Sequence, residues 1–107
     1  MEAMAMPIKP DKVRTWESWM DQLSSSRKAE FADFNERYGL TTHNAWLQSN
    51  PDGSSLAIVV VDGPGATSFM GKMMASDDGF DSWFRSNAVD VHPMDPSAPP
   101  PAPERRL

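Results

Sequence analysis

The two histidines, His43 and His92, are the side chains in this sequence best suited to moving a proton near neutral pH. His43 falls on a strand candidate and His92 at the end of the last helical pattern. Nothing in the sequence requires them to meet, so each also reads as a polar residue at an element end. As metal ligands they are weaker still. They lack the i, i+4 spacing of a helical pair and would need carboxylates such as Asp90 or Asp95, so no metal site is expected.

Trp16, Trp19, Trp46 and Trp83 are numerous for 107 residues. They can line an aromatic pocket, or simply give a small core large side chains. Trp16 and Trp83 lie on helix stripes and read as core, whereas Trp19 lies off the main stripe and reads as exposed or at an interface. By strand alternation Trp46 shares a face with Asn44 and Gln48, and His43 shares the other with Ala45 and Leu47. The ligand-binding candidates are therefore His43, Trp46, Trp83 and His92, as walls of a space between sheet and helices held open by the breaks at Ser24-Ser25-Ser26 and Ser76-Asp77-Asp78-Gly79. Eight methionines would make such a wall adaptable, and would fill a core equally well. Asp77, Asp78 and Asp81 lack the ligand spacing of an EF-hand, and helix N-capping suits them better. Gly63-Pro64-Gly65 has neither a P-loop lysine nor the dinucleotide glycine pattern. There is no serine elbow and no cysteine nucleophile, and no cofactor is expected.

Length and charge narrow the setting. The chain has room for one hydrophobic core and not two. A net charge of −5 without a basic patch argues against nucleic acid. No run approaches the ~20 apolar residues of a membrane span, and Met1 to Met6 is too short for a signal peptide. The absence of cysteine excludes disulfides and fits a cytoplasmic setting.

The elements that must position these residues are arranged around Leu56-Ala57-Ile58-Val59-Val60-Val61, which reads as a strand buried on both faces. Met4, Met6 and Ile8 share one face of a first strand, with Pro7 near its end and Asp11 as N-cap of the helix that follows. Val13, Trp16, Met20 and Leu23 predict an amphipathic helix, broken at the serine run. Phe31, Phe34 and Tyr38 predict a second, ended by Gly39. Thr41 to Gln48 reads as a strand joined to the central one through the turn Asn50-Pro51-Asp52-Gly53. Ala66 to Met73 and Phe80 to His92 read as helices, with Ala88 to His92 fitting a helix end or a short strand. The result is an α+β domain over 1–95, a ferredoxin-like βαββα sandwich with a doubtful last strand and helices on one face of an antiparallel sheet, followed by a proline-rich extended tail over 96–107. A central strand apolar on both sides leaves one sheet face uncovered, and a second copy is its simplest partner, so a homodimer is expected.

Pro7-Ile8-Lys9-Pro10-Asp11-Lys12, Ala45-Trp46-Leu47-Gln48, the run Ser76 to Phe84 and His92-Pro93-Met94-Asp95 together resemble a narrow family of small bacterial proteins within the dimeric α/β-barrel superfamily. That resemblance implies two ferredoxin-like protomers packed sheet against sheet. It differs at Glu104-Arg105-Arg106-Leu107, where a longer apolar end is expected, and this leaves a fourth strand from the tail open. The superfamily includes monooxygenases that oxidise electron-rich aromatic compounds without a bound cofactor. Two functions follow as expectations: a monooxygenase-like or binding protein for a small apolar or aromatic ligand, and a non-catalytic dimeric binding or interaction module. No motif decides between enzyme and binder.

Overall fold

The structure is a computed structural model that describes residues 1–93. The proline-rich tail and the boundary at 95 lie outside the described residues. The elements are β1 (Glu2–Ile8), α1 (Val13–Ser24), α2 (Lys28–Arg37), β2 (Thr42–Ser49), β3 (Ser55–Asp62), α3 (Phe69–Ala75) and α4 (Gly79–Val91). They form an α+β fold with a three-stranded sheet in the order β1-β3-β2. β3 runs antiparallel to both neighbours, so β1 and β2 point the same way with β3 inserted between them. This is the split βαβ of a ferredoxin-like sandwich, one strand short among the described residues. The ambiguous stretch after Ala88 is helical as far as Val91.

Register explains the two faces. Met4 opposes Val59, which opposes Ala45, and Met6 opposes Ala57, which opposes Leu47. These side chains, with Ile8, Val61 and His43, face the helices. The alternate row runs Ala5, Ile58, Trp46 and faces away. Ile58, Val60 and Leu56 stay half-buried on that side, and Trp46 is 53% exposed. Among the described residues helices cover the first face only, and the core gathers there around Phe34, Met73, Val61 and Val91.

Several boundaries differ from the sequence reading for local reasons. α1 starts one residue later than an Asp11 cap would place it: Lys12 is the N-cap, and its side chain makes no capping bond. Trp19 is not peripheral but 4% exposed. It stands three residues after Trp16 and four before Leu23, a spacing that places it on the same helical face. The serine run ends α1 as expected, with Ser24 and Ser25 hydroxyls bonding the carbonyl of Asp21. Gly39 ends α2 with φ at +68°. A Cβ on Gly65 would lie 1.8 Å from the Tyr38 carbonyl oxygen, so the glycine loop after β3 serves a backbone-to-backbone crossing with the end of α2.

Candidate functional site

Between the sheet and the helices lies a cavity of about 640 Å³. This is within the usual range for small-molecule sites. Every one of the seven elements contributes to its wall. Met4, Met6, Met20, Met70 and Met73 supply thioether surface, and Trp16, Trp19, Phe31, Phe69 and Phe84 supply aromatic surface. The wall residues that reach the molecular surface are Ser24, Lys28 and Ala32 on the helical side and Asn44 and Ala45 on β2. The mouth therefore opens between the α1–α2 break and the edge strand β2. Ser24 is at the cavity, whereas the other interruption, Ser76 to Gly79, does not line it.

Of the four sequence candidates the structure brings two to the cavity. His43 projects from β2 into an aromatic surround, its ring centroid 5.1 Å from that of Phe31 and 5.5 Å from that of Phe69. Its Nδ1 lies 2.9 Å from Asn35 Oδ1. Burial pushes the imidazole down to about 4, so it is neutral at pH 7. With the amide oxygen as acceptor, Nδ1 carries the proton and Nε2 keeps a free lone pair. His92 follows α4, and its Nδ1–H donates to the Pro7 carbonyl at 2.8 Å. Burial lowers its basicity too, against the bond to Pro7, which raises it, and with the charge of Lys9 adding to the fall. Its tautomer is the same, since a carbonyl can only accept. Trp19 Nε1 is the one buried side-chain polar atom without a partner among the described residues, so neither imidazole Nε2 is sealed from the space.

The other two candidates stand elsewhere. Trp46 is on the open sheet face, because its register partner is Ile58 and not Val59. Trp83 lies on the outer side of α4, half-buried against Phe80 and covered by the Arg27 guanidinium 4.2 Å above its ring. Asn35 and Lys28 reach the site without having been singled out by sequence. Asn35 is one turn beyond Phe31 on α2, so the i, i+4 spacing was a usable signal. Trp19 is sealed, packed edge-on against Phe84 with centroids 5.0 Å apart.

A separate polar cluster holds the helices together outside the cavity. Asp81 is fully buried and accepts from Arg37 Nη2 at 2.8 Å, from Ser76 Oγ at 2.7 Å and from the Tyr38 hydroxyl. Burial alone would raise the pKa of this carboxyl, but these bonds outweigh it and hold the group below its ordinary value. Asp78 caps α4, its Oδ1 accepting from the Phe80 amide at 3.0 Å. Neither Asp81 nor Arg37 lines the cavity. Among the described residues no group of three or more His, Cys, Asp and Glu side chains is gathered as for a metal ion, and no helix is long and apolar enough to cross a membrane. The chain matches no protein-family model, no curated protein and no solved structure.

Proposed function

We propose that this protein binds a planar, mostly apolar small molecule in the cavity between sheet and helices. The observation that carries the reading is the wall itself: methionine and aromatic surface with a neutral imidazole acceptor, His43 Nε2, set into it. An aromatic hydroxyl is the group such an acceptor suits. A monooxygenase-like reaction would use the same lone pair as general base, and an imidazole pushed down to about 4 is a weak one, so the lone pair suits accepting a hydrogen bond better than removing the proton. The direct test is titration with naphthols and naphthoquinones. Binding quenches the fluorescence of Trp16 and Trp19 and raises the melting temperature. His43→Phe weakens 2-naphthol more than naphthalene. A panel in which neither signal responds rejects the site, and binding without oxygen uptake or product keeps the binder and discards the enzyme.

The open sheet face favours a second reading alongside the first. Ala5, Ile58 and Trp46 form an apolar row that no element of the chain covers among the described residues. A homodimer closed through this face would bury it. The protein would then be a dimeric module whether or not the cavity is occupied.

A further inference from the structure

Among the described residues on the cavity wall, Lys28 alone carries a full charge. That is notable in a chain with a net charge of −5. Lys28 is the first residue of α2, exposed, and stands at the mouth beside Ser24. Among the described residues its ammonium group makes no ion pair: the acidic partner at this turn, Glu30, is engaged by Arg27 at 3.2 Å. The side chain of the N-cap residue Arg27 makes no capping bond, so the positive end of a ten-residue helix adds to the lysine.

The interior offers an anion nothing comparable. Its polar groups are the two neutral imidazoles, the Asn35 amide, which is already bonded to His43, and the buried Trp19 indole N–H, a single uncharged donor. A carboxylate drawn in that far would lose water without meeting a counter-charge. A ligand cation would meet no carboxylate on the wall among the described residues. We infer that the ligand is an amphipathic organic acid, its flat apolar body inside the cavity and its carboxylate at the mouth on Lys28. This deepens the small-molecule reading above and rests on it.

The test pairs 2-naphthoate with its neutral analogue 2-acetylnaphthalene on the full-length protein, followed by tryptophan quenching at low salt. The quantity read is the ratio of the two affinities in wild type, Lys28→Gln and Lys28→Glu. Glutamate at the first position of a helix is favourable to the helix, so the charge reversal does not threaten the fold. An exposed charge pair changes affinity by up to about fivefold. The ratio should therefore fall by about fivefold in Lys28→Gln and by about tenfold or more in Lys28→Glu, with the difference shrinking as salt is added. If both compounds bind but the ratio is the same in all three proteins, or if only the neutral compound binds, the acid inference is overturned and the cavity reading stands. If neither compound binds to wild type, both are overturned.

Discussion

At the scale of single residues, His43 is a group whose protonation works against its own environment. Its ordinary value of 6.5 falls to about 4 in the folded chain because burial penalises the imidazolium. As pH drops, the unfolded chain takes up the proton first. The stability held by the neutral ring is complete above about pH 6.5 and is lost progressively as the pH falls to about 4, by at most about 3 kcal/mol. His92 titrates in the same direction. Asp81 adds its own loss only at lower pH, since its carboxyl sits below the ordinary carboxylate value. Thermal melts of wild type and His43→Phe between pH 7 and pH 4.5 read this out: the wild-type melting temperature should fall more steeply. Equal slopes would mean that the folded imidazole is as well solvated as the free one.

At the scale of elements, Asp81 ties the end of α2 to the start of α4, with Arg37 and Tyr38 on one side and Ser76 on the other. Removing it leaves Arg37 and Tyr38 facing a hole. A fully buried pair broken on one side costs 3–5 kcal/mol, but Arg37 is 36% exposed and keeps Asp33 at 3.0 Å, so Asp81→Ala should cost roughly 2–3 kcal/mol. Urea denaturation measures it, and a loss under about 0.5 kcal/mol would show that the cluster is ornamental. None of this was legible in sequence, where an aspartate in a helix's first turn looks like any other. The elements themselves were legible, because alternation in Met4, Met6 and Ile8 and the aromatic spacing of α2 are local signals. Trp19 shows the limit of that method. Its stripe was present in the numbering, yet a helix face is wider than one line of contacts.

At the scale of the molecule, the apolar central strand foretold that both of its faces would need cover, and among the described residues only one is covered by helices. The cavity was less legible. Two of its expected walls, Trp46 and Trp83, were assigned without knowing which strand face met the helices or which way α4 was rotated. The register now separates two tests that sequence left tangled: Ile58 faces outward beside Trp46, and Val59 lines the cavity. If the open face joins two copies, Ile58→Asp buries an unpaired carboxylate in the interface and should weaken the dimer by roughly a hundredfold or more while leaving a folded monomer. Val59→Asp should instead lower the melting temperature and abolish ligand binding. Sedimentation at micromolar concentration decides the first, and a wild-type monomer there removes the dimer altogether.

The wall of the cavity draws on the chain from Met4 to His92, and the bond that holds His92 to Pro7 joins residues 85 apart in sequence. Contacts of such separation cost loop entropy and form late. The β2–β3 hairpin, by contrast, is linked by a short turn and can form early. The cavity is thus absent from any half-formed chain, and an occupant has nothing to grip until the last closure. Its stabilisation should appear as slower unfolding with an unchanged folding rate, readable in the two arms of a denaturant chevron. For a small fold with a hollow centre, the ligand is then less a template for folding than a brake on coming apart.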